Sequence, residues 1–292
     1  MKKYQGIFKT ALLVSLFLLT FTPNKFITIS TFLLLVVILS LFVKDSRILK
    51  ILSFFIFVYL WYLVTDRLLF IPSYILPSPL RVLNIIISQK DVIIPNLIST
   101  LKITFFGFIL SILFGVSLAF LMHLIRPIED LIYPIAVISQ STPTIAIAPL
   151  IILWFGFGSL PKIGVVVWAT FFPITVNTLV GLKSIDQDMV DVLKAIGAKT
   201  SDIFKYVVLP HTLTYILTGI EISSPYAILG TLTAEWMGTD IGMGLYIRRS
   251  FSSFELGQVF AGAIIIIGFS LITWGIAVSL RRRFTRYLGG EK

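Results

Sequence analysis

The chain has 292 residues, of which 57% are hydrophobic and 13% charged, and its mean hydropathy is +0.98. A soluble domain carries about 25% charged residues, so a water-covered globular surface is excluded and lipid is the solvent this composition fits. The net charge of +10 is better explained by Lys and Arg in the cytoplasmic loops of a membrane protein than by a nucleic-acid surface. The absence of cysteine excludes disulfides, thiolate metal sites and a Cys nucleophile.

From the N-terminus, Lys2, Lys3 and Lys9 precede the apolar run from Ala11 to Phe21, followed by Thr22-Pro23-Asn24-Lys25-Phe26. No small-x-small cleavage site follows, so an uncleaved anchor helix is expected. Runs long enough to cross a bilayer are read at 7–22, 26–43, 51–70, 101–124, 131–156, 162–181, 211–233 and 257–280. Residues 1–50 form an N-terminal membrane hairpin in this reading, and 51–292 form the main transmembrane domain. The expected fold is therefore all-α and polytopic, with about eight spans.

Orientation follows from the basic residues in alternate loops. With the N-terminus inside, the cytoplasmic segments hold sixteen Lys and Arg and the outer segments eight, which predicts that both termini face the cytoplasm. Two connections are too long for simple turns. One is 71–100, outside, with Pro72, Pro77 and Pro79 ahead of an amphipathic run from Leu80 to Ser88. The other is 183–210, inside.

The inner connection carries Val190, Leu193, Ala195 and Ile196 at helical spacing, flanked by Asp188, Asp191 and Lys194. Gly197 suits the left-handed residue that stops a helix. Thr200 or Ser201 is placed to cap a second amphipathic segment bearing Ile203, Phe204, Val207 and Val208, which Pro210 closes. Periodicity alone allows two uses: a helix pair resting on lipid headgroups, or a docking surface for another protein.

The residue order resembles the signature loop of ABC importer permeases: Glu-Ala-Ala, three residues, Gly, about nine residues, then an apolar residue and Leu-Pro. Asp191 stands at the Glu, Gly197-Ala198 match the Gly-Ala step, and Leu209-Pro210 match the Leu-Pro; Val192 and Leu193 replace the two small residues. The segment Leu76-Pro77-Ser78-Pro79, the run Pro143 to Gly156, and Ala234-Glu235-Trp236 followed by Gly242-Met243-Gly244-Leu245 are similar to the nitrate, sulfonate and taurine branch of that family. The same branch handles vitamin precursors such as thiamine pyrimidines and riboflavin.

The resemblance covers roughly residues 51–290. It implies a six-helix type I importer core with two extra N-terminal helices. It also implies that residues 186–210 are the coupling loop seated on an ATPase subunit, with Asp191, Ala195, Gly197, Ala198, Phe204, Leu209 and Pro210 as its contact residues. The implied assembly is a homodimer of this chain in a prokaryotic inner membrane, with ABC ATPase subunits beneath and an extracytoplasmic binding protein delivering the substrate. ATP and Mg would be used by the partner, and no cofactor or metal is expected on this chain.

A path for a solute needs polar groups at membrane depth. Candidates are Ser139, Gln140 and Thr142 beside Pro143, together with Asn177, Glu221 and Ser224. Helix packing by small polar residues is the competing use. Glu221 stands near a position where the family usually has a basic residue, whereas Glu235 is expected at the outer end in a structural hydrogen bond. No phosphate loop, H-E-x-x-H or G-x-S-x-G is present, so a conduit is expected, not an enzyme. The rival reading, an ion-gradient-driven secondary transporter, calls for paired charges at midplane and two similar halves, of which this chain offers one central Glu and no evident repeat.

Overall fold

The computed structural model describes residues 46–67 and 71–287, with side chains from residue 53 onward. The described residues form helices and turns, with no strand among them. The expected spans at 7–22 and 26–43 lie outside the described residues. Among the described residues, four helices are long and apolar enough to cross a membrane, or five if one sharply bent pair counts as a single span.

The chain divides into two compact units, residues 1–88 with 254–261 and residues 89–253 with 262–292. In the first, α1 (Ser46–Tyr62) continues through a π turn, Leu63–Arg67, and α2 spans Pro79–Ser88. Proline is well placed at the start of α2, because that position needs no backbone donor. The Trp61 indole N–H donates to the Pro77 carbonyl at 3.0 Å and the ring lies against Phe260, centroid to centroid 6.0 Å. Helix α2, of ten residues, is shorter than a full span.

The second unit is built around α6 (Ser159–Lys183), flanked by α3 (Lys90–Leu124) and α9 (Leu209–Met237). Between lipid-soluble helices burial of apolar area offers little gain, so close approach of backbones decides the packing. A Cβ on Gly107 of α3 would meet Val166 at 2.6 Å, and one on Gly219 of α9 would lie 2.9 Å from the Ile174 backbone. Interhelical hydrogen bonds add to this contact: Thr104 and Thr231 hydroxyls share one at 2.8 Å, and Ser223 Oγ donates to the Thr170 carbonyl at 3.1 Å.

Three element boundaries differ from the sequence reading. Helix α3 starts at Lys90, eleven residues before the expected 101. Its first turns carry Lys90, Asp91 and Asn96, which mask the span in hydropathy, but Asn96 Oδ1 accepts the Gly242 N–H at 2.7 Å and so has a folded partner. The expected single span 131–156 is two helices, α4 (Arg126–Ser141) and α5 (Thr144–Phe155), bent by 109°. Thr142 precedes Pro143 and takes extended angles, φ −87° and ψ 121°, as a residue before proline prefers.

The third difference is at the inner connection. Helix α7 (Gln187–Ala195) is followed by α8 (Thr200–Ile203), a π turn Phe204–Val208, and then α9 without interruption. Neither Thr200 nor Ser201 caps α8; Lys199 is its N-cap and contributes no side-chain bond. Pro210 does not close the segment either. The π turn widens the ladder just where proline offers no N–H, so Thr200–Met237 forms one helical run of 38 residues. Beyond it lie α10 (Met243–Ser252) and α11 (Leu256–Tyr287).

Candidate functional site

The inner loop is organised from its caps inward. Asp186 accepts from the backbone N–H groups of Asp188 and Met189 at 3.0 and 3.4 Å, satisfying donors that the start of α7 would leave unpaired. At the other end Gly197 has φ +85°, and its N–H and that of Ala198 donate to the Lys194 and Leu193 carbonyls. A side chain at Gly197 would find free space, so the left-handed backbone and not crowding calls for glycine.

Ile185, Val190 and Ile203 form a small buried cluster with Leu193, Ala198, Val207 and Val208, clamping α7 to the π turn. The stripe read from the sequence therefore splits. Val190 faces inward, while Ala195 is exposed and Ile196 is 74% exposed, with Met189 and Val192 beside it. Asp191 is exposed and accepts from Lys194 Nζ at 3.2 Å. Phe204 rests against Phe120, Leu209 is part-exposed and Pro210 lies in the first turn of α9. Two contacts tie the base of the loop: Lys183 pairs with Glu129 of α4, and Ser184 Oγ lies 2.9 Å from His211 Nε2. Met189, Val192 and Ile196 make up an outward apolar face that periodicity alone did not separate from the inner one.

At the opposite end of α9, Glu235 is fully buried. Its carboxyl oxygens accept from Thr100 Oγ1 at 2.8 Å and from the Gly244 N–H at 2.7 Å, and Thr100 Oγ1 in turn accepts the Met243 N–H at 2.8 Å. This lock holds the turn into α10, and a Cβ on Gly242 would overlap the Glu235 carboxyl at 2.3 Å. Beside it Lys162 Nζ donates to Thr239 Oγ1 at 2.6 Å. Burial pushes the Tyr246 phenol up to about 12, so it stays a neutral donor to Gln89 Oε1 at 2.8 Å.

The six candidate path residues fall into two groups. Ser139, Gln140 and Thr142 sit at the α4–α5 bend, where Ser139 and Thr142 donate to carbonyls of their own helix and Gln140 is exposed. Asn177 packs against Gly219, on the α9 stretch that carries Glu221 and Ser224. Asn177 Nδ2 donates to the Pro173 carbonyl and Ser224 Oγ to that of Glu221. Glu221 accepts from Arg281 Nε at 2.5 Å, a partner sixty residues away that no local pattern announces. None of the six lines the cavity of about 780 Å³ bordered by Phe114, Ile135, Ile147, Trp154, Trp168 and Phe171. That lining is apolar apart from the indole N–H groups of Trp154 and Trp168.

Comparison with known proteins then decides the family. The description "binding-protein-dependent transport system inner membrane component" matches residues 107–286. This chain belongs to that family. The permease is 38% identical over 205 residues to the formylaminopyrimidine transport permease protein ThiX of Halalkalibacterium halodurans, covering 68% of this chain and 82% of that one. It is 28% identical over 218 residues to the riboflavin transport system permease protein RibX of Chloroflexus aurantiacus, covering 74% and 81%. The fold is shared with the inward-facing MetNI methionine ABC transporter at a TM-score of 0.59 and 16% identity, covering 68% of this chain and 98% of that one. The permease is thus a multi-pass transport component of an ABC system.

Proposed function

We propose that this permease forms the translocation path of an ATP-driven importer for a small solute, and that residues 186–210 couple it to a separate ATPase subunit. The observation that carries the proposal is the two-faced loop. Its inner face is locked by Ile185, Val190 and Ile203, and its outer face presents Met189, Val192 and Ile196 to a partner. The helical run Thr200–Met237, to which α7 is clamped through Ile203, leads from the loop to the opposite end of the bundle, so movement of the loop is carried rigidly into the core. In this reading two copies of the chain sit over two ATPase subunits, an extracytoplasmic binding protein delivers the solute, and both termini face the cytoplasm. Asp191, Ala195, Gly197, Ala198, Phe204, Leu209 and Pro210 shape the contact. The relatives named for formylaminopyrimidine and riboflavin support a heteroaromatic vitamin or vitamin precursor as the solute, the one named for aliphatic sulfonates supports an anion, and the pairing of Arg281 with Glu221 weighs toward the first.

The test is reconstitution of the chain with its cognate ATPase and binding protein in liposomes, following uptake of labelled formylaminopyrimidine. ATP-dependent uptake is expected. Ile196→Asp, an exposed change that leaves the inner cluster intact, is expected to release the ATPase on co-purification and abolish uptake. Uptake by the chain alone, driven by an ion gradient, would establish the secondary-transporter reading instead.

A further inference from the structure

The final turns of α11 read Ser279-Leu280-Arg281-Arg282-Arg283-Phe284-Thr285-Arg286-Tyr287. The four arginines do not share one job. In a helix, positions 279, 282, 283 and 286 fall on one stripe, and position 281 lies off it. Arg281 is spent on Glu221. Arg282, Arg283 and Arg286 are exposed, border one open recess, and have no carboxylate partner among the described residues.

Their depth matters as much as their charge. Helix α11 is apolar enough to cross a membrane over its preceding turns, so the stripe emerges where hydrocarbon gives way to headgroups. Tyr287 is exposed beside it, at the level where aromatic side chains favour the interface. Simple retention of positive charge on one side would be served equally by lysine. Three guanidinium forks on one stripe instead match the planar, two-point hydrogen bonding of phosphate oxygens, and basic clusters at the end of a span recognise anionic lipid.

We infer that Arg282, Arg283 and Arg286 form a binding site for the phosphodiester headgroup of an anionic phospholipid, with Tyr287 at its rim. Bound lipid stabilises the end of α11 and, through the neighbouring Arg281–Glu221 pair, its attachment to α9.

The experiment is thermal unfolding of the purified chain in neutral detergent, with added phosphatidylglycerol, phosphatidylcholine, or inorganic phosphate at matched ionic strength. Phosphatidylglycerol is expected to raise the wild-type midpoint by several degrees more than either control. The triple variant R282Q/R283Q/R286Q is expected to lose that increment. R282K/R283K/R286K keeps the charge needed for correct insertion and is expected to recover less than half of it. An equal response to phosphatidylglycerol in wild type and the Gln variant would overturn the site, and so would an equal effect of free phosphate. Full recovery by the Lys variant would overturn recognition by paired forks. If the Gln variant keeps its lipid response but loses a co-purifying ATPase, the stripe is a protein contact and the proposal fails.

Discussion

Helix α9 carries two carboxyl side chains whose surroundings assign them different tasks. Glu235 is sealed from solvent, and its donors come from α3 and from the turn into α10. Removing it strands the Gly244 N–H, at about 1–3 kcal/mol for a buried group left unpaired, while Thr100 Oγ1 keeps the Asn96 carbonyl as its acceptor at 3.1 Å. Glu235→Ala is therefore expected to lower the unfolding midpoint of the detergent-purified protein by several degrees, with Glu235→Gln retaining most of the loss-prone contacts and falling between. Glu221 instead faces one cation across the helix interface. Single and double Gln substitutions at Glu221 and Arg281, compared by denaturant unfolding, are expected to show a coupling energy of about 0.5–3 kcal/mol; additive effects would mean that the pair contributes nothing as a pair. Arg281 and Thr100 lie 60 and 135 residues from their glutamates, so Glu221 could be picked out as costly at membrane depth, and Glu235 as hydrogen-bonded at the outer end, without those partners being visible.

Among the elements, α6 is the centre of the second unit, and its neighbours approach through glycine. Gly219→Leu would push a side chain into the Ile174 backbone and the Pro173 carbonyl, so it is expected to lower the midpoint strongly. Gly268→Ala on α11, where an added Cβ meets nothing within 4 Å, is expected to leave it unchanged or slightly higher, because alanine restricts the unfolded chain. Loop elements were legible to different degrees. Gly197 as a helix stop is a local matter of backbone conformation, and the structure has φ +85° there. The division of the α7 stripe between Val190 and Ile196 was not legible, because it depends on where α8 and the π turn place Ile203 and Val207. Pro210 misled for a related reason. Its missing N–H normally ends a helix, but widening the preceding turn removed the conflict.

Across the whole molecule, Ile196 and Asp240 lie just beyond opposite ends of a helical run of 38 residues, roughly 55 Å at 1.5 Å per residue. The chain has no cysteine, so single-Cys variants report cleanly. A membrane-impermeant maleimide is expected to label Asp240→Cys in intact cells and Ile196→Cys only after permeabilisation. The reverse pattern would invert the assigned orientation and separate the loop from any cytoplasmic ATPase.

Composition and order alone were enough for the membrane class, the all-helical architecture of the described residues and the permease family, because hydropathy, helix stops and the spacing of Gly197 to Leu209-Pro210 are local properties of the chain. Tertiary structure alone decided that the bend at Thr142-Pro143 is as sharp as 109°, that α3 starts early, and which partners Glu221 and Glu235 take. Each of these depends on a partner far along the sequence or on how the backbone ladder absorbs a proline. Such choices are made by packing, and no local pattern encodes them.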